Sequence, residues 1–226
     1  MLPSKLKVLK VVFDTEIQAY EIPAFRGAIA AKAGLKHVLF HNHLQGGFRY
    51  AYPLIQYKRM GRKPAIVCIG EGVNNIHHYF EGHDWSISIS DRKLDMKIDR
   101  LDMNQFTMQI WDQLFSYRIR NWIALNQKNW QEYQQIEAMD ERVHFLERKL
   151  IAHIISFAKG ISWNVSKLIK LKIKHLDEPR AVRVKGVTLM GFNLSFRCNA
   201  FLPNHIGLGK SASLGFGVVR QVRGRE

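Results

Sequence analysis

The sequence predicts an α+β protein: two β-sheet halves of ferredoxin-like (RRM-like) type, partly degenerate, with a long central helix. Three observations predict it. Short apolar, strand-like runs fill both ends of the 226-residue chain. One stretch between them repeats apolar residues three or four apart, the period of a helix packed on one side. No low-complexity linker or fixed-period repeat divides the parts. We divide the chain at 1–105, an N-terminal half, and 106–226, the helix with a C-terminal β-rich half.

Residues 7–13 are an apolar run that suits a first strand. Pro23 opens an alanine-rich helix over 24–33, and Gly34 stops it. Val38, Leu39 and Phe40 lead into His41 and His43, a Gly46-Gly47 break follows, and 50–58 and 65–69 read as strands about a basic turn. The order strand, helix, histidine loop, strand, strand is that of a ferredoxin-like half. Residues 70–105 resist reading; they hold a His77-His78 pair, an alternating stretch over 85–90 and several aspartates. Residues 106–125 look extended and aromatic. The central helix is expected over 130–159, capped by Asn129 and stopped by Gly160, with Tyr133, Ile136, Met139, Val143, Leu146 and Leu150 on its core stripe. At about 45 Å it would be long enough to brace two sheets or to join a homodimer. Residues 168–174 then alternate apolar and basic with period two, setting Lys170, Lys172 and Lys174 in a row on one face. A turn at 177–179, a return strand carrying Arg183, and a strand-rich stretch with Arg197 lead to the carboxyl end.

Charge narrows the function. The chain is strongly basic, +15 with histidines neutral. Residues 1–63 contribute +8, residues 64–158 contribute −3 and residues 159–226 contribute +10. Positive charge gathered at the ends favours a polyanion-binding surface. A membrane partner is not expected, because the cations are dispersed through strand-like segments rather than along one amphipathic helix. No apolar run reaches the roughly 18 residues of a membrane span, and no signal peptide is visible, so a cytoplasmic location is expected. Cys68 and Cys198 sit in apolar runs and read as buried free thiols.

The segment 205–219 is the chain's most distinctive motif: Gly207 and Gly209, then Lys210, Ser211 and Ser213, then Gly215 and Gly217. Glycine lets a backbone turn sharply and approach a ligand, and exposed N–H groups with a lysine and serines would suit phosphate oxygens. A P-loop is excluded, since Asn204 stands where its first glycine is needed. A dinucleotide fingerprint is excluded too, since no helix and further strand follow.

His41 and His43 carry the candidate chemistry. RNA can be cut without a metal if its own 2′-OH attacks the adjacent phosphate. One group must then take a proton, another must give one to the leaving 5′-oxygen, and the phosphorane charge must be offset. On an extended segment, residues two apart share a face and could bracket a phosphate. His37, Tyr50 and Lys58 are candidates for supporting the transition-state charge. A His-x-His pair can also be half of a metal site, but no third and fourth ligand follow at standard spacing, and no metal or other cofactor is expected. A metal-dependent nuclease stays as the third possibility, which bound zinc or manganese would support.

The glycine spacing beside the C-terminus, with Arg26-Gly27-Ala28, the residues around His41 and His43, the run 52–58 and the run 156–160, resembles the CRISPR repeat-RNA endoribonucleases, the b-type branch of the sixth Cas family. The likeness covers most of the chain outside 70–105. It implies a histidine-based, metal-independent endoribonuclease that leaves a 2′,3′-cyclic phosphate and a 5′-OH. His41 and His43 would be the acid/base pair, and Lys210 with Ser211 a phosphate clamp. The implied partner is precursor CRISPR repeat RNA, beside other CRISPR effector subunits. Lys170, Lys172, Lys174, Arg183 and Arg197 are the expected RNA contacts. The alternative is a non-catalytic RNA-binding module that protects or delivers the repeat.

Overall fold

The computed structural model describes residues 4–41, 43–44, 47–48, 51–184 and 186–222, with backbone alone at 43–44 and 47–48. Lys5–Thr107 with Ser213–Gly215 form an N-terminal unit; Met108–Ala212 and residues 216–222, with Ser4, form a C-terminal unit.

In the N-terminal unit β1 (Ser4–Phe13) leads into α1 (Ile22–Ala33). Pro23 stands in the first turn of α1, and Gly34 ends it at φ 97°, a left-handed value that glycine takes at least cost. Two short strands follow, β2 (His43–Leu44) paired with β3 (Gly47–Phe48). Next come β4 (Ile55–Met60) and β5 (Lys63–Ile69). The expected strand over 50–58 starts only at Ile55, beyond Pro53, which has no N–H to give a ladder. The stretch left unread holds the second helical segment, α2 (Glu71–Asn75) and α3 (His77–Phe80). It also holds a hairpin, β6 (Ile87–Ile89) and β7 (Arg92–Leu94), and a long strand, β8 (Ile98–Met108). The main sheet runs β4-β5-β1-β8. That is the ferredoxin-like order, with the first and third long strands side by side at the centre. Phe13, Phe25 and Tyr57 pack edge to face beneath α1, with ring centroids 6.3 and 5.6 Å apart.

The C-terminal unit repeats the plan with a substitution. β9 (Ile110–Trp122) precedes α4 (Gln127–Gln135) and α5 (Met139–Gly160). β10 (Leu171–Leu176), β11 (Arg180–Val184), β12 (Val187–Ala200) and β13 (Val218–Gln221) complete it. The sheet runs β10-β12-β9-β13, with β11 paired to β12. Between β12 and β13, where a second crossover helix would lie, stands the glycine-rich segment with a single helical turn at Ala212–Leu214. This is the degenerate part of the second half.

The central helix is not continuous. Asn126, not Asn129, caps its first piece, its Oδ1 accepting from the Asn129 N–H at 2.8 Å. Ile136 turns extended at ψ 117°, and a new helix starts after Ala138 with Asp140 and Glu141 in its first turn, where the helix dipole favours anions. Arg142 Nε donates to the Ile136 carbonyl and ties the corner at 2.6 Å. Met139 is consequently exposed, whereas Leu146, Leu150, Ile154 and Phe157 form the buried stripe. The 22 residues of α5 span about 33 Å. Both cysteines are buried and free. Among the described residues, no helix is long and apolar enough to cross a membrane.

Candidate functional site

Strand pairing builds a basic face on the C-terminal sheet. β12 puts Arg197 opposite Lys172 of β10 and Ser116 of β9. Two positions along, Ser195 meets Arg118, and Arg118 meets Arg220 of β13. Arg120 pairs with Val218 on the same side. Directly opposed residues share a face of a sheet. The intervening positions, Tyr117, Ile119, Phe196, Cys198 and Val219, point into the core and are buried. Arg118, Arg120, Lys172, Arg197 and Arg220 are exposed.

Of the expected cations, Lys172 and Arg197 thus stand side by side. Lys172 also reaches the buried carboxylate of Glu147 at 3.3 Å, while Glu147 accepts from the Ile173 N–H at 2.9 Å. Lys174 is exposed where the ladder shifts register between Ile173 and His175. Lys170 precedes the strand, its N–H donating to Asn199 Oδ1 at 2.8 Å. Arg183 pairs with Thr188, at the other end of β12 from Arg197. Arg118, Arg120 and Arg220 escaped the sequence reading. The alternation Tyr117, Arg118, Ile119, Arg120 was the available signal, hidden by the aromatic residues around it.

The glycine-rich segment is tightly built. Leu208 N–H donates to the Gly217 carbonyl at 2.9 Å, Lys210 N–H to Ile123 at 3.1 Å and Gly217 N–H to Asn121 at 3.0 Å. Gly217 has φ 61°, and a Cβ there would lie 1.9 Å from the Leu208 carbonyl oxygen. A Cβ on Gly209 would meet the Ile123 carbonyl and the Trp122 indole, each at 2.8 Å. A Cβ on Gly207 would meet the Ala212 carbonyl at 2.8 Å. These glycines thus serve close packing of the segment on itself and on β9. The amides of Leu208, Lys210 and Gly217 point at protein carbonyls rather than outward. Lys210 is exposed, and Ser211 and Ser213 are half-buried. Gly215 groups with the N-terminal unit, where a Cβ would lie 3.0 Å from Ile22.

In the N-terminal unit, the helical turn Val38–Phe40 delivers His41, with Phe40 and Leu39 buried beneath it. Tyr57 Oη donates to the Phe40 carbonyl at 3.1 Å, and Arg26 donates to the His41 carbonyl. The His41 ring is half-buried, and its Nε2 lies 2.8 Å from the Leu35 carbonyl. A carbonyl only accepts, so Nε2 carries the proton and, in the neutral ring, Nδ1 carries the lone pair. His41 has φ −134° and ψ −11°, so the extended segment begins after it; His43 opens β2. A shared strand face for the pair therefore does not arise. The His43 side chain and all of Tyr50 lie outside the described residues. His37 stacks on His78 with ring centroids 3.6 Å apart, and burial, then the His78 charge, holds it below its ordinary pKa. Lys58 is sealed within β4, and burial pushes its ammonium down to about 7.

Two ferredoxin-like units, one with a cation-studded sheet and one with an anchored histidine turn, define a tandem ferredoxin-like protein with a surface suited to a polyanion. Family models for the Cas6b N-terminal domain and the Cas6b C-terminal domain match residues 4–107 and 109–222. The chain belongs to the Cas6b family. An uncharacterized protein of Methanocaldococcus jannaschii is 35% identical over 104 residues, which span 46% of this chain and 69% of that one. A crystal structure of Cas6b superposes with TM-score 0.88 at 27% identity, covering 97% of this chain and all (100%) of that one. A second, described as the CRISPR RNA processing endoribonuclease Cas6b, gives TM-score 0.74 at 24% identity, covering 97% and 100%. A type IV Cas6 crRNA endonuclease, at 12% identity and TM-score 0.61 with coverage of 97% and 100%, shares the fold.

Proposed function

We propose that the chain is an endoribonuclease that cuts CRISPR repeat RNA by attack of the RNA's own 2′-OH. The products are a 2′,3′-cyclic phosphate and a 5′-OH, and the cut matures guide RNAs. Membership of the Cas6b family across both units carries the reading, since a structural relative is described as a CRISPR RNA processing endoribonuclease.

The chain's residues suit the steps. One base takes the 2′-OH proton as the 2′-oxygen bonds to phosphorus. As the bond from phosphorus to the 5′-oxygen breaks, an acid protonates that oxygen. His41, oriented by the contact of its Nε2 with the Leu35 carbonyl, serves as the base. His43 is then the acid. Arg118 and Arg220 grip phosphates, because like charges placed opposite each other on a sheet gain nothing without an anion, and Arg197 and Lys172, the latter also paired with Glu147, extend that basic face. A-form RNA hides its major groove, so hairpin shape and the backbone are what such a face reads. Lys210, Ser211 and Ser213 are further phosphate contacts.

The test is product mapping. The protein is incubated with a repeat-length RNA in EDTA, and both product ends are analysed. A single cut with a cyclic phosphate upstream and a hydroxyl downstream is expected. Tight binding without a cut would favour the non-catalytic module, and cutting that needs an added divalent ion would refute metal independence.

A further inference from the structure

We propose that His77, His78 and Glu81 form a zinc site on the surface of the N-terminal unit, closed by water. This assignment is independent of the cleavage reading. α3 presents both imidazoles because Tyr79, between His78 and Phe80, is drawn into the core, 1% exposed, and packs on Phe13 with ring centroids 6.1 Å apart. The two rings then lie together, centroids 3.9 Å apart, over the Glu81 carboxylate.

The distances suit a metal. Glu81 Oε1 is 3.4 Å from His77 Nε2 and 3.2 Å from His78 Nδ1. Zinc at about 2.0–2.1 Å from each of two tetrahedral ligands sets those ligands roughly 3.3 Å apart. All three donor atoms lie within 4.8 Å of one another. Orientation adds an independent observation. His77 Nδ1 faces the Asn74 carbonyl, which can only accept, so Nδ1 carries a proton. In the neutral ring Nε2 is then a lone pair aimed at a carboxylate oxygen. Acceptor against acceptor is unfavourable, and a cation between them removes the conflict. The second-neighbour bond from imidazole N–H to a carbonyl is the arrangement that orients metal-binding histidines. Two imidazoles, a carboxylate and an open position suit zinc better than calcium or magnesium, which prefer oxygen alone. His37 lies flat against His78, so an ion that fixes His78 also steadies the foot of the turn leading to His41.

The test uses the full chain stripped with a chelator. Zinc chloride is titrated calorimetrically, and cobalt(II) is followed by visible absorption. One equivalent and tetrahedral cobalt bands are expected, with affinity lowered roughly tenfold or more in His77→Ala and in Glu81→Gln. His77→Gln repeats the measurement should the alanine variant not fold. His41→Ala/His43→Ala should keep the equivalent. No saturable binding by the unaltered chain, binding that survives loss of His77 and His78, or binding lost with His41 and His43, would each overturn the assignment.

Discussion

A lysine sealed inside a sheet must lose either its solvation or its proton, and Lys58 loses the proton at about pH 7. Between that pH and about 10 the unfolded chain holds a proton that the native chain has released, so stability rises with pH across the window. Urea unfolding at pH 7 and pH 9 checks this. The unaltered chain should gain about 2 kcal/mol between the two, and Lys58→Met should be flat. Equal slopes would show that Lys58 is charged when folded. The arginine face makes the opposite kind of statement, since its cations are exposed and, in the function proposed above, meet RNA phosphates. Arg118→Gln should weaken RNA binding and lower the slope of log affinity against log salt by about 0.9, without lowering the unfolding midpoint. Lys172 was legible in the sequence from alternation, and Arg197 from its place in a strand-rich, basic stretch. That Arg118 and Arg220 pair two positions along the same face was not, because register between strands far apart in sequence is set by the fold rather than by local pattern.

Among the elements, the glycine-rich segment shows how far a motif can be read. Its boundaries follow from the glycine spacing, and the strand attached to it, β13, begins at Val218. What local sequence does not show is that Leu208, Lys210 and Gly217 direct their amides at protein carbonyls, which depends on β9 lying alongside. Gly217→Ala should therefore damage packing: with a carbonyl 1.9 Å from the new Cβ, a loss of about 2–4 kcal/mol is expected in chemical denaturation. Gly27→Ala is the control. It sits in α1 with nothing within 4 Å of the added carbon, and should gain about 0.5–1 kcal/mol. α1 was readable because Pro23 and Gly34 punctuate it. β8 was not, since its largely exposed residues show no alternation. The break at Ile136 was hidden by an apolar period that runs on through it, and only the cap at Asn126 and the acidic pair after Ala138 reveal two helices.

At the scale of the molecule, both halves share one strand order, and the second replaces a helix with the glycine-rich segment. That α+β plan was legible from the alternation of strand and helix signals, as was the placing of the cations at the ends of the chain. Affinity for repeat RNA should fall steeply with salt whether or not the protein cuts, because both depend on released counterions. Catalysis is what separates the readings. The most direct measurement is the single-turnover rate on a repeat RNA in EDTA, with the protein in excess, for the unaltered chain and for His41→Ala/His43→Ala. We expect a site-specific cut by the first. In the second, RNA should stay bound while the rate falls by about 10⁴-fold or more. A double variant that cuts at the original rate, or an unaltered chain that binds the repeat and leaves it whole, would contradict a histidine-driven endoribonuclease.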